Sequence, residues 1–203
     1  MRWWSATAGA RVRRVNGPRA GFPNETISRD QVSLRELLPE DAPTVAAAVD
    51  AEILRWLPLL PNPYRLEDAA FFCTEVAPAT LRSGKGIVRA VEVDGQLAGV
   101  IDLKKADWRA RTVEVGYWTA GWARGRGLTS ATVDLLSRWA LTEQGFRRVE
   151  LRAAVGNVGS QRVAERAGFA REGVLRWAGL TADEPTDIVV FSRIRTDLGD
   201  ALA

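Results

Sequence analysis

The stretch Trp122-Ala123-Arg124-Gly125-Arg126-Gly127-Leu128-Thr129-Ser130 decides how this chain folds. It follows residues 112–119, whose Val, Tyr, Trp and Thr favour a strand. It precedes residues 128–144, whose apolar spacing predicts an amphipathic helix. A glycine-rich turn between a strand and a helix lets main-chain N–H groups converge on one point, and the helix N-terminus adds partial positive charge there. The pattern therefore predicts a site for a phosphate-bearing cofactor.

Length and composition predict a single globular domain. The chain has 203 residues, 46% of them hydrophobic, which is enough for one full core. No apolar run approaches the length that a membrane-spanning helix needs, and residues 1–30 lack the continuous apolar segment of a secretory signal. The single cysteine, Cys73, excludes an intramolecular disulfide, so we expect a reducing, cytoplasmic setting.

The chain contains no histidine. This excludes Ser-His-Asp and Cys-His nucleophilic machinery and every metal site that needs imidazole, so no metal is expected. A general base must then be a carboxylate, a tyrosine, a lysine or water.

Residues 1–30 differ in composition from the rest of the chain. They are rich in Gly, Ala, Arg and Pro without a repeating period. They contain six arginines but only two acidic residues, Glu25 and Asp30. We expect a flexible basic leader over 1–30 and one domain over 31–203. An arm that binds nucleic acid is the alternative interpretation, although the segment has no repeated basic–aromatic pattern.

The remaining sequence predicts an α/β (α+β) domain with the element order β-α-α-β-β-β-α-β-α-β-β. Strands are predicted at 32–37, 87–93, 96–104, 112–119, 148–155, 170–177 and 188–195. Helices are predicted at 39–54, 66–81, 128–144 and 160–167, and the proline-rich segment 55–64 is expected to be irregular. Because one long helix separates the middle strands, the sheet is expected to be mixed.

Two common phosphate-binding turns do not fit the glycine-rich stretch. A dinucleotide-binding turn needs three glycines and an acid at the end of the next strand. Residues 125–130 supply two glycines, and the next strand ends Ala153-Ala154-Val155-Gly156-Asn157 without an acid. The Gly-Lys-Ser/Thr sequence of a mononucleotide P-loop is absent.

The stretch Arg124-Gly125-Arg126-Gly127-Leu128-Thr129 resembles the Arg/Gln-x-x-Gly-x-Gly/Ala pyrophosphate loop of the GNAT acetyltransferase superfamily. A second segment, from Asn157-Val158-Gly159-Ser160 to Gly168-Phe169, resembles the Asn-x-x-Ser…Gly-Phe segment of the RimJ/RimL-type branch, the ribosomal-protein N-acetyltransferases and their relatives. Shorter matches follow in the right order across residues 31–196: Leu34-Arg35 with Pro39-Glu40-Asp41, Glu114-Val115-Gly116-Tyr117-Trp118, Glu150-Leu151-Arg152 and Glu172-Gly173-Val174-Leu175-Arg176.

The resemblance implies a GNAT fold, in which a mixed central sheet is splayed in its middle and acetyl-CoA wedges into the opening. It also implies a bulge near the end of strand 112–119, which would leave main-chain groups there to pair with the pantetheine amides. N–H groups of residues 125–129 would hold the pyrophosphate, with two arginines adding charge. The donor-binding residues implied in this way are Trp118, Thr119, Arg124, Gly125, Arg126, Gly127, Leu128, Thr129, Asn157 and Ser160.

The same resemblance supplies candidates for the chemistry. Ser160 matches the family serine near the CoA sulfur and is the candidate proton donor; its alternative role is to cap the helix that follows. Asn157 is expected on the pantetheine arm, or alternatively only in a turn. Tyr117 is a further candidate acid, unless it is simply a core residue. Trp56 is expected to form a wall of the acceptor site.

Two strand carboxylates, Glu114 and Glu150, are the candidate bases. The alternative for each is an ion pair with a neighbouring arginine. RimL-type enzymes are thought to use a glutamate at a position that corresponds to Gly179 here, so deprotonation through water is a further alternative.

The resemblance thus implies an enzyme, an acetyl-CoA-dependent N-acetyltransferase. It would move an acetyl group to a primary amine, either a protein N-terminal α-amine or a small-molecule amine, by direct transfer in a ternary complex. A non-catalytic acyl-CoA-binding sensor or scaffold on the same fold is the alternative function. The expected partners are a CoA thioester and the amine, without a membrane or nucleic acid, and assembly as a homodimer is left open.

Overall fold

A computed structural model describes residues 21–182 and 184–199 of the chain. In this part of the chain, eight strands form one mixed sheet in the order β1-β2-β3-β4-β5-β6-β8-β7. The strands are β1 (Ile27–Arg29), β2 (Val32–Glu36), β3 (Ile87–Val93), β4 (Gln96–Asp107), β5 (Thr112–Thr119), β6 (Arg148–Ala154), β7 (Ala170–Leu180) and β8 (Pro185–Ile194).

Helices cover both faces of the sheet. They are α1 (Ala42–Ala48), α2 (Ala51–Trp56), α3 (Leu66–Phe71), α4 (Ala77–Arg82), α5 (Leu128–Thr142) and α6 (Val158–Arg166), with a π-helical segment, Phe72–Val76, between α3 and α4. Among the described residues, no helix is both long and apolar enough to cross a membrane.

Two hydrophobic clusters hold the helices to the sheet, and strand alternation assigns residues to them. In β3, Ile87 and Val91 belong to the cluster that α5 joins, whereas Val88 and Ala90 belong to the cluster beneath α1, α3 and α4. This period of two is expected for a strand that is covered on both faces.

The sheet forks between β5 and β6, as the resemblance implies. These strands pair in parallel only from Thr112↔Arg148 to Val115↔Leu151. Beyond that point β5 stays on β4 as far as Thr119, and β6 stays on β8. The bulge expected near the end of β5 is absent, because β4 and β5 pair without interruption from Gly99↔Thr119 to Lys104↔Glu114. The fork results from the divergence of two strands.

Residues of the chain before position 30, the predicted end of the leader, already contact the domain. Phe22 is buried, with its ring centroid 4.9 Å from that of Trp108 and 5.7 Å from that of Phe146. Glu25 accepts a hydrogen bond of 2.9 Å from Trp139 Nε1, and β1 pairs with β2. The composition of the segment did not indicate these contacts, because one aromatic side chain and three strand residues attach it to the domain. Residues 1–20, with most of the predicted basic leader and nucleic-acid arm, lie outside the described residues.

The helix predicted over 39–54 is two helices. After α1 ends, Asp50 caps α2 through its side chain, which accepts a hydrogen bond of 3.0 Å from the N–H of Ile53. This second helix runs to Trp56, a residue that the sequence placed in the irregular segment. Because a separate helix begins after Asp50, residues of α2 lie at the mouth of the fork.

Candidate active site

The fork opens a cleft of about 410 Å³. One part of its wall comes from β5, the glycine-rich loop after it and the first turns of α6. The other part comes from α2 and from the side chains of β4, β5 and β6 on the α2 side. We call these parts the donor wall and the acceptor wall.

The glycine-rich loop presents main-chain donors to the cleft. Gly125 and Gly127 have φ angles of 73° and 77°, in the left-handed region that glycine adopts without steric cost. The first helical hydrogen bond of α5 runs from the N–H of Ala131 to the carbonyl of Gly127. In the described part of the chain, the N–H groups of residues 125–130 therefore have no acceptor. Such a run of free donors at a helix N-terminus binds anions.

Eight of the ten predicted donor-binding residues line this cleft: Trp118, Thr119, Arg124, Gly125, Gly127, Thr129, Asn157 and Ser160. The other two do not. The Leu128 side chain is buried in the core, and the Arg126 guanidinium lies 5.8 Å from the centroid of the Trp122 ring. Sequence pattern identified the loop but not the direction of these two side chains.

Thr129 stands where the family loop has glycine or alanine, and its hydroxyl has a structural partner. Its Oγ1 lies 2.9 Å from Oγ1 of Thr119. The pair joins the first turn of α5 to the end of β5, which holds the loop beside the fork.

Arg124 lines the cleft, and its guanidinium is paired with a carboxylate. Its guanidinium makes a bidentate contact with Asp50, with N–O distances of 2.8 and 2.9 Å, while its Nε donates to the carbonyl of Thr119. The hydrogen bond from Arg124 also lowers the pKa of Asp50. Because Asp50 caps α2, Arg124 connects the donor loop to the acceptor wall and its charge is already paired.

Ser160 and Tyr117 meet at the fork. Their hydroxyl oxygens are 2.8 Å apart, and both residues line the cleft. The N-cap of α6 is Asn157, whose Oδ1 accepts the N–H of Ser160 at 2.9 Å. Ser160 is therefore not the cap, and its hydroxyl is directed to the phenol. Burial raises the pKa of Tyr117 to about 12, so the phenol keeps its proton at neutral pH.

Glu114 reaches the acceptor wall as an ion-paired carboxylate. Its Oε2 accepts a hydrogen bond of 2.8 Å from Lys105 Nζ, and its Oε1 lies 3.6 Å from Lys104 Nζ. Arg152 Nε is 3.9 Å from Oε2. The carboxylate is thus at the cleft, as predicted, and is also paired, as in the alternative interpretation.

Glu150 does not reach the cleft, so the structure does not support its prediction as a base. It lies beside Glu114 in the β5–β6 pairing, but its oxygens accept hydrogen bonds from Arg148 and Arg152 at 2.9 and 2.7 Å. Although burial opposes ionisation, these hydrogen bonds hold the pKa of Glu150 below its usual value. The Glu150 carboxylate is therefore an ion-pair partner of Arg148 and Arg152.

Helix α2 spans the mouth of the fork. Trp56 lines the cleft and lies against the loop after β6, since a Cβ at Gly156 would be 3.5 Å from Trp56 Cη2. The carbonyl of Arg55 accepts the N–H of Ala182, in the turn between β7 and β8. Trp56 therefore lines the cleft on the side of α2. At Gly179, a Cβ would overlap the end of the Ile188 side chain, so a larger residue there would require Ile188 to shift.

Several cleft residues escaped the sequence analysis: Glu52 and Ile53 on α2, and Arg162 and Arg166 on α6. For each pair, the sequence contains a pattern that could have indicated its position. An Asp-Ala-Glu sequence at residues 50–52 is a helix start, and two arginines four residues apart share one helix face.

The model of the acetyltransferase (GNAT) domain family matches residues 31–170. The chain belongs to this GNAT family. Its sequence is 30% identical over 174 residues to YdaF of Bacillus subtilis, whose name assigns it provisionally to the ribosomal N-acetyltransferases; the match covers 83% of this chain and 93% of YdaF.

Solved structures of GNAT proteins have the same fold. RimJ of Mycobacterium smegmatis, in complex with CoA-disulfide, superposes with a TM-score of 0.80 at 20% identity, over 87% of this chain and 90% of RimJ. The ribosomal L7/L12 α-N-protein acetyltransferase RimL, in complex with coenzyme A, has a TM-score of 0.75 at 20% identity, over 84% of this chain and 98% of RimL. The GNAT fold is confirmed, and acetyl transfer is the activity of the family.

Proposed function

We propose that this GNAT protein transfers the acetyl group of acetyl-CoA to a primary amine by direct transfer in a ternary complex. The acceptor is a protein N-terminal α-amine or a small-molecule amine. The observation that carries the proposal is that one cleft contains both the free N–H groups of residues 125–130 and the hydrogen-bonded Ser160–Tyr117 pair. The first feature suits a diphosphate, and the second suits a thiolate that needs a proton.

Acetyl-CoA would lie along the donor wall. The N–H groups at the start of α5 would hold the diphosphate, assisted by the helix dipole. Past Val115 the β6-facing edge of β5 is unpaired, so main-chain groups near Trp118 and Thr119 are placed to pair with the pantetheine amides as an added strand would. The thioester would then lie at the fork, next to Ser160.

The chemical step needs no enzyme nucleophile. The neutral amine attacks the thioester carbon, a C–N bond forms, and collapse of the tetrahedral intermediate breaks the C–S bond. The Ser160 hydroxyl gives its proton to the departing sulfur and recovers one from the Tyr117 hydroxyl, whose oxygen is 2.8 Å away, and water then returns a proton to Tyr117. The proton lost from the amine goes to water or to Glu114.

An α-amine suits this site better than a lysine side chain. Its pKa is about 8, against about 10.4 for lysine, so a useful fraction is neutral at physiological pH. Glu114 is already hydrogen-bonded to Lys105, and the glycine at position 179 supplies no carboxylate where RimL-type enzymes are thought to use a glutamate. Weak base assistance therefore favours an amine that needs little of it.

The test is thiol release from acetyl-CoA over a panel of N-terminal peptides, lysine-containing peptides with blocked N-termini, and small amines. We expect turnover with free N-termini or small amines, and its loss in Ser160→Ala. Because the glycine at position 179 supplies no carboxylate base, an acyl-CoA-binding sensor without catalytic activity is the second candidate. Tight CoA binding without turnover on any acceptor would support the sensor and overturn the transferase proposal.

A further inference from the structure

Helix α6 presents two arginines to the cleft. Its cleft-facing residues include Gly159, Arg162, Val163 and Arg166, a spacing that follows one face of a helix. Ser160, next to the expected thioester, lies at the start of this helix. With a rise of about 1.5 Å per residue, Arg166 is roughly 9 Å farther along the helix axis than Ser160. The arginines therefore line the cleft away from the chemistry.

These arginines carry uncompensated charge, unlike two other arginines of the cleft. Arg124 is paired with Asp50, and Arg152 is paired with Glu150. Arg162 and Arg166 are exposed, and neither guanidinium has a hydrogen bond or ion pair with any of residues 21–182 and 184–199. Arg166, in the last turn of α6, also complements the helix dipole, but Arg162 lies in mid-helix and has no such role.

The charge of the ligand indicates what the pair would bind. Coenzyme A carries a diphosphate and a separate 3′-phosphate on its ribose. The diphosphate has its own donors, the N–H groups at the start of α5, and Ser130 in the first turn of α5 lines the same cleft as the two arginines. Helices α5 and α6 pack against each other, so the groove between them continues from the diphosphate site to Arg166.

We propose that Arg162 and Arg166 bind the 3′-phosphate of the CoA donor and so select phosphorylated CoA over its dephospho form. This inference rests on the proposed function, because it assumes that a CoA thioester enters the cleft. Two guanidinium groups on adjacent turns suit a doubly charged phosphomonoester, which accepts charge-assisted hydrogen bonds. The main-chain cradle cannot make this selection, since both forms share the diphosphate.

The test is calorimetric titration of the full-length protein with CoA and with 3′-dephospho-CoA at low salt and pH 8. We expect the wild type to bind CoA about tenfold or more tightly than the dephospho form, which corresponds to about 1.4 kcal/mol. The double variant Arg162→Ala/Arg166→Ala should lose this preference, while its affinity for 3′-dephospho-CoA stays within about twofold of the wild type.

Arg171→Ala is the matched control, because Arg171 is an exposed arginine on β7 outside the cleft. It should keep the wild-type preference. Lowering the pH to 5.5 should reduce the preference of the wild type, since a phosphomonoester takes up its second proton near pH 6.

Equal affinity of the wild type for both ligands would overturn this inference and leave the proposed function standing. A preference that persists in the double variant would overturn it as well. Failure of the wild type to bind either ligand would overturn both the inference and the proposed function.

Discussion

The donor wall and the acceptor wall of the cleft differ in the chemical groups that form them. The donor wall consists largely of main-chain groups from one continuous stretch, residues 117–130, together with the start of α6. The acceptor wall consists of side chains from α2, β4, β5 and β6, which are far apart in sequence. Main-chain chemistry follows from local conformation, so the donor wall keeps its function through much sequence change. The acceptor wall depends on individual side chains and can change with the substrate.

The largest expected effect is on the main-chain cradle. A β-branched residue at positive φ is strongly disfavoured, and its side chain would also occupy the space beside the free N–H groups. We expect Gly127→Val to weaken CoA binding by about 100-fold or more in calorimetry. Gly95→Val is the matched control, since Gly95 has the same φ of 77° in the turn between β3 and β4.

Both valine variants should lose stability by a similar amount, on the order of 1–3 kcal/mol, in urea denaturation. Only Gly127→Val should lose CoA affinity. Equal loss of affinity in the two variants would mean that backbone strain, rather than the cradle, controls donor binding.

The next largest effect concerns proton delivery at the fork. Ser160→Ala and Tyr117→Phe should each lower kcat by about 100-fold, in the range usual for loss of an acid catalyst, and leave CoA affinity nearly unchanged. A drop in stability with unchanged turnover would show that the hydroxyl pair has only a structural role. Steady-state kinetics with the best acceptor of the panel would distinguish these outcomes.

The pH dependence of stability tests the same pair. The pKa of Tyr117 is raised to about 12 in the folded state, above the usual value near 10. The folded state therefore binds this proton more tightly than the unfolded state. The stability that this provides is complete below about pH 10 and is lost as the pH rises to about 12. When the pH is raised from 9 to 11, the urea concentration at the midpoint of unfolding should decrease more for the wild type than for Tyr117→Phe.

A smaller effect is expected on the acceptor wall. Trp56→Ala should raise the KM for the amine by about tenfold while the affinity for CoA changes little, because the indole lies on α2 at the mouth of the fork. Trp122→Ala, at an exposed tryptophan outside the cleft, is the control and should leave the acceptor KM unchanged. A loss of CoA affinity in Trp56→Ala would contradict the division into two walls.

The smallest effect should come from the link between the walls. Arg124 and Asp50 are partly exposed, so a double-mutant cycle with Arg124→Gln and Asp50→Asn should give a coupling free energy of about 1 kcal/mol or less in urea denaturation. Since the guanidinium is already paired, Arg124→Gln should lower CoA affinity by less than about threefold. A loss greater than about tenfold would mean that Arg124 leaves Asp50 to bind the diphosphate.

Local sequence patterns predicted most of the strands and the glycine-rich loop that exposes main-chain donors at the start of α5. They failed where one or two long-range contacts decide the structure. Residues 22–30 have the composition of a leader, yet Phe22 and β1 anchor them to the domain. The helix predicted over 39–54 divides because Asp50 caps a new helix, and Arg124, distant in sequence, holds that cap.

What the sequence by itself determined is the main-chain architecture: the alternating strands, the glycines that adopt positive φ, and the donors at the start of α5. These depend on neighbouring residues, and the motifs record them. Only the tertiary structure decided which polar groups are already paired. It assigned Arg124 to Asp50, Glu150 to two arginines, and the Ser160 hydroxyl to Tyr117. The physical reason is that an ion pair or hydrogen bond needs atoms within about 3 Å, and only the folded chain brings together residues that are distant in sequence.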